Sequence, residues 1–289
     1  MSHNPPLILG FGQNTCILVH GFGNTSKMWL PFVLPHLHST RFVMVDLPGF
    51  GSAFDESVRG ESAVGAYADI IKGIIFKEGD GETSLVAFSL GASACLKLLC
   101  DEPQLPISRY MHIDHTPWSQ NDSHWNGGID STLLTRFKGL CDHAKVFPGS
   151  ENLPNGELPA ELSQHYDSVL SFLRETCFQN SFASLLNKLV DKSSLSKQFF
   201  SNRIAWRWAH AIFRDYYLGS IDLRERLSKI TVPVSLVSGN SSEICNAEAV
   251  SFMENEIKHC DVVGFTGGHD FMVNQFLPFS RHFGSFINK

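Results

Sequence analysis

Short apolar runs that end in glycine turns recur along the first third of the chain, and the pattern returns near its end. Residues 14–23 (NTCILVHGFG), 41–51 (RFVMVDLPGFG) and 83–91 (TSLVAFSLG) each read as a β-strand followed by a sharp turn. Between the last two, residues 62–76 (SAVGAYADIIKGIIF) carry apolar positions at helical spacing. Strands that are apolar throughout, alternating with helices, predict a mostly parallel twisted sheet covered by helices on both faces. One more strand is expected in residues 107–119 (ISRYMHIDHTPWS), ending near Asp114. The pattern then changes. From about Trp118 to Leu223 the chain reads as helix after helix, through residues 161–178, 181–200 and the aromatic-rich 203–218. Long structureless connections are rare, so an insertion of this size is expected to be a helical cap. Residues 230–240 (ITVPVSLVSGN) and 260–270 (CDVVGFTGGHD) restore strands, with a helix between them and another closing the chain. The expected organisation is an α/β core of residues 1–117 and 224–289, interrupted by a helical cap over 118–223.

Composition narrows the function classes. Hydrophobic residues make up 43% of the 289 positions, enough for a sizeable core. A net charge of −6 with no long basic run argues against nucleic acid or an anionic membrane as partner. The start lacks the basic and apolar regions of a secretion leader, and no apolar run reaches membrane-spanning length. Seven scattered cysteines without a C-x-x-C pair fit reduced thiols, and the expected location is cytoplasmic. The 23 phenylalanines fit either an apolar cavity or plain core packing.

Carboxyl ends of parallel strands are where working residues gather, and the glycine turns fall there. In residues 20–23 (HGFG), glycines let backbone amides converge on one spot, as oxyanion stabilisation requires. Residues 46–52 (DLPGFGS) read as structural punctuation. Ser89 stands between Ala87 and Gly91 at a strand-to-helix turn. That is the setting of a nucleophile elbow, although its first small position is alanine rather than glycine. The stretch alone leaves Ser89 open as nucleophile or as turn serine. His269 follows the last strand and two glycines, where a general base is wanted. For the carboxylate that orients it, Asp114, Glu243 and the adjoining Asp270 are the candidates. The cluster His112, Asp114, His115 gives poor convergence for a tetrahedral metal, because a strand sends neighbours to opposite faces. No metal and no cofactor are expected.

Taken in order, HGFG, DLPGFGS, AFSLGAS, VPVSLVSGN and GGHD resemble the α/β-hydrolase fold superfamily. The resemblance covers both ends of the chain and leaves the cap unmatched. It implies Ser89 as nucleophile, His269 as base, and the amides of Phe22 and Leu90 as oxyanion donors. One subgroup, small esterase-like hydrolases, is similar in the turns HIDHTP and SGNSSE; a second, the cofactor-free dioxygenases of quinolone-type heterocycles, is similar in keeping a serine at the elbow. Both place the acid after the family's sixth strand, which favours Asp114 over Glu243. The resemblance thus implies a serine hydrolase of a small-molecule ester or thioester; the aromatic residues of the expected cap, among them Trp118, Trp206 and Phe213, are read separately as roofing an apolar pocket. A cofactor-free oxygenase and a non-catalytic binding homologue are the competing readings, and the oligomeric state is left open.

Overall fold

The computed structural model describes residues 4–57, 60, 62–177 and 204–288. Its centre is a seven-stranded sheet in the order β1-β3-β2-β4-β5-β6-β7. The strands are β1 (Leu7–Leu9), β2 (Asn14–Val19), β3 (Thr40–Val45), β4 (Ser84–Phe88), β5 (Arg109–Ile113), β6 (Val234–Gly239) and β7 (Cys260–Phe265). Every neighbouring pair is parallel except β1 with β3. The strand that the family resemblance counts as sixth is therefore β5 here.

Side chains alternate across the sheet and build two cores. Ile17 and Val19 of β2, with Leu85 and Ala87 of β4, face one side; Cys16 and Leu18, with Val86 and Phe88, face the other. The first side is covered by α2 (Ala63–Glu78) and α3 (Leu90–Asp101). The second is covered by α1 (Leu30–Val33) and α9 (Phe276–Ile287), where Phe32, Phe279 and Phe283 pack edge to face or tilted. Both faces are dry, which is why these strands read as unbroken apolar runs.

The sequence pattern does not reveal β1. It is three residues long, follows two prolines, and leaves Leu7 36% and Ile8 41% exposed on the sheet edge.

Between β5 and β6 lie α4 (Ser131–Ala144), α5 (Ala160–Cys177) and α6 (Trp206–Leu218). Asp130 caps α4 by accepting from the amides of Thr132 and Leu133, a side-chain device that satisfies first-turn donors. The helical stretch expected over 181–200 lies outside the described residues. In α6, Asp215 is 3% exposed and accepts from the Ser62 hydroxyl (2.9 Å) and the Val64 amide (3.1 Å) at the start of α2. Trp208 packs its Cβ onto Gly49, where any side chain would collide, and donates its indole N–H to the Glu56 carbonyl. The DLPGFGS turn is thus the seat of α6 as well as a turn. After β6 come α7 (Ala247–Glu256) and, beyond β7, the short α8 (Phe271–Asn274).

Candidate active site

Ser89 sits between β4 and α3 at φ 53°, ψ −119°. Ser89 and Asp114 are the two non-glycine residues with positive φ among the described residues. Such backbones cost on the order of 1–3 kcal/mol and persist where neighbours fix them. Here the Ser89 amide donates to the Ile113 carbonyl, and its own carbonyl accepts from Ser93. Ala87 remains ordinary β-strand, paired with Val19 and His112, so the absent glycine needs no special backbone. Gly91 differs: a Cβ there would stand 2.6 Å from the His20 carbonyl oxygen.

Three loops from distant parts of the chain meet at His269. Its Nδ1 lies 2.6 Å from Asp114 Oδ2 and its Nε2 lies 2.8 Å from Ser89 Oγ. A carboxylate accepts, so Nδ1 carries the proton and Nε2 is left to receive one from the serine hydroxyl. Phe88 stacks on the imidazole at 4.8 Å and 24°, which fixes the ring plane. Asp114 also accepts from the Gly239 amide (3.0 Å) and the Ser242 hydroxyl (2.6 Å), while its own amide donates to Val237. Gly239 lets the two loops touch, since a Cβ there would stand 2.4 Å from the Gly268 carbonyl oxygen.

The HGFG turn lies against the serine. A Cβ on Gly21 would be 2.9 Å from Ser89 Cβ. His20 braces this turn: the Leu47 amide donates to Nε2 (3.0 Å), so Nδ1 holds the proton and donates to the Gly21 carbonyl (2.8 Å). The Phe22 ring packs against Phe50 and Phe213, and Leu90 opens α3, where first-turn amides have no intrahelical acceptor.

His112 and His115 form a hydrogen-bonded scaffold beside Asp114. His112 Nε2–H donates to the His115 carbonyl (2.8 Å), leaving Nδ1 to accept the Tyr110 hydroxyl (2.9 Å). His115 Nδ1–H donates to the Thr116 carbonyl (2.7 Å), and Nε2 accepts the Tyr216 hydroxyl (3.0 Å). Burial pulls His112 down to about 4 and His115 down to about 3 from an ordinary 6.5, and His20 also downward. In the unfolded chain these groups take up protons near 6.5; in the folded chain they resist. From pH 6.5 down to about 3 the unfolded state therefore holds more protons, and stability falls as pH falls. The carboxyls of Asp215 and Glu243, both pushed up by burial, oppose this in part. A loss on the order of a few kcal/mol is expected between pH 7.5 and 5, where ordinary carboxylates stay ionised. Urea midpoints at the two pH values measure it, and equal midpoints contradict it.

The other sequence candidates are dispersed. Glu243 lies over the backbone of Gly268, with its Oε2 3.5 Å from where a Cβ would stand; burial pushes its carboxyl up, and that oxygen has no hydrogen-bond partner among the described residues. Asp270 accepts from the Asn274 side chain. Phe213 faces the site through Phe22 (5.2 Å) and stacks on Phe137 (4.4 Å). Trp206 is fully buried among α4–α6 neighbours, donating to the Ser150 carbonyl and packing on Tyr166. Trp118 donates to the Gly219 carbonyl under the Arg224 guanidinium. Sequence reasoning passes over Ser242, Tyr216 and Asp215. Ser242 lies inside the quoted turn SGNSSE, but nothing in a turn's composition says which way a hydroxyl points.

The alpha/beta hydrolase family model matches residues 16–275. Similar curated proteins include the pimeloyl-[acyl-carrier protein] methyl ester esterase of Legionella pneumophila (strain Lens), 23% identical over 273 residues, covering 94% of this chain and 91% of that protein. The protein of the same name from Nitrosomonas europaea is 22% identical over 274 residues, covering 93% and 92%. Among solved structures, the esterase EaEST from Exiguobacterium antarcticum matches with a TM-score of 0.76 at 19% identity, over 98% of this chain and 94% of that one. MenH from S. aureus matches with a TM-score of 0.70 at 18% identity, over 99% and 98%. At such identities the structural likeness carries the fold.

Proposed function

This chain belongs to the alpha/beta hydrolase family, and from that premise we propose that it is a serine hydrolase of a small-molecule carboxylic ester or thioester. Ser89 attacks the acyl carbonyl as His269 Nε2 takes its proton. Asp114 holds the imidazole in the tautomer that leaves Nε2 bare and balances the imidazolium as it forms. The amides of Phe22 and Leu90 receive the developing oxyanion. The imidazolium then protonates the departing alkoxide or thiolate, leaving an acyl-Ser89, which a water activated by the same histidine hydrolyses. In this reading residues 118–223 are the cap that covers the acyl group, with Phe213 on its inner side.

The observation that supports it most is the pair of hydrogen bonds on His269, 2.6 Å to Asp114 and 2.8 Å to Ser89. Several relatives bear the name of methyl ester esterases, which favours an oxygen ester over a thioester. No helix among the described residues is long and apolar enough to cross a membrane. A fluorophosphonate probe tests the reading. Covalent labelling at Ser89, with ester turnover lost in step, is the expected result. Oxygen uptake with a hydroxyquinolone that survives Ser89→Ala would instead make His269 the base of a cofactor-free oxygenase.

A further inference from the structure

The turn that carries Asp114 is strained at φ 57° and is gripped from two sides. From β6 and the turn after it, Val237, Gly239 and Ser242 hold the Asp114 backbone and carboxylate. The far side of the turn, His115 and Thr116, is held differently. His112 donates to the His115 carbonyl, Thr116 Oγ1 donates to the Gly127 carbonyl at 2.6 Å, and Tyr216 donates to His115 Nε2 at 3.0 Å. Tyr216 belongs to α6, more than 100 residues along the chain. One phenol, presented from a helix far along the chain, thus rests on the residue next to Asp114. The same helix reaches Phe22 through Phe213 and α2 through Asp215.

We propose that Tyr216 is a positioning residue: its hydroxyl, presented by α6, locks the His115 ring and so fixes the far side of the Asp114 turn. This rests on the hydrolase reading above, with Asp114 as the acid. The donor count leaves one arrangement. His115 Nδ1 spends its proton on Thr116, so Nε2 is an acceptor, and the Tyr216 hydroxyl must donate to it. Without the phenol, a buried acceptor is left unpartnered, which a turn at positive φ relieves by shifting. A shift of about 1 Å at a catalytic group is enough to cost rate by up to a hundredfold. Substrate contacts are not touched, so the loss belongs in kcat. Catalysis consequently senses whether α6 is seated.

Full-length wild type, Tyr216→Phe and Tyr166→Phe are compared with p-nitrophenyl acetate and the fluorophosphonate probe. Tyr166 supplies the matched control, since its hydroxyl is also buried between these helices but donates to the Ile204 carbonyl, away from the acid turn. Expected for Tyr216→Phe is a kcat about tenfold lower with KM within twofold, probe labelling slowed to match, and a broadened or shifted downfield proton for His269 Nδ1–H. Tyr166→Phe should keep kcat within twofold even if its Tm falls as far. His115→Gln, which retains a side-chain acceptor, should keep more activity than His115→Leu; this pair serves if Tyr216→Phe does not fold. An unchanged kcat in Tyr216→Phe, or equal losses in both Tyr→Phe variants, overturns the proposal. Failure of the probe to label wild type removes the hydrolase reading itself.

Discussion

Replacing Ser89 with alanine is expected to lower kcat for any ester the protein turns over by about a million-fold, with little change in Tm. The size follows from how the site is divided. In the proposed mechanism Ser89 Oγ, His269 and Asp114, joined by bonds of 2.8 and 2.6 Å, act as one unit, and removing the attacking atom idles the other two. What survives is whatever the HGFG turn gives to water attacking the bound ester. Stability should hold because alanine accepts the same strained φ as serine, and the strain is held by the amide and carbonyl bonds to Ile113 and Ser93. Stopped assays at high enzyme concentration measure the residual rate. A loss of tenfold or less would show that another group attacks the ester.

The second large effect is expected at the acid. Asp114→Asn should lower kcat about 10⁴-fold while leaving the fold intact. An asparagine whose amide oxygen takes the place of Oδ1 keeps the Gly239 bond, and its NH₂ then stands where Oδ2 faced both Ser242 and His269. The imidazole must then accept at Nδ1 and carry its proton on Nε2, where it can no longer deprotonate Ser89. Glu243→Gln serves as the contrast and should stay within about tenfold of wild type, because the Nδ1 partner at 2.6 Å is Asp114. Steady-state kinetics of the two variants side by side decide between them. A near-normal Asp114→Asn beside a crippled Glu243→Gln would reverse the assignment.

How much of this was visible in the residues alone depends on what each feature needs. The six parallel strands were legible as apolar-rich runs that end in turns, most clearly β2 and β4, which are buried along almost their whole length. The antiparallel edge strand was not, since three half-exposed residues after two prolines show no period. Ser89 and His269 stood at turns whose glycines mark close approach, so their places could be read. Two loops could each supply the acid, and the sequence alone could not say which one meets His269. That depends on where the Gly239 amide and the Ser242 hydroxyl point, a property of the folded turn. The helices between β5 and β6 show the same limit. Trp206 and Phe213 are two turns apart on one stripe of α6, yet one meets Tyr166 and the other Phe22. Helical spacing gives the stripe and not its neighbours.

The unequal demands of the elbow's two small positions bear on how such proteins are found. At 87 the chain stays in an ordinary strand conformation, and a methyl group fits. At 91 a methyl group would strike the carbonyl of His20 at 2.6 Å. A search that insists on glycine before the serine discards this chain for a feature its backbone does not use. A filter that asks for glycine two residues after the serine, together with a histidine–glycine pair at the end of the neighbouring strand, keeps it.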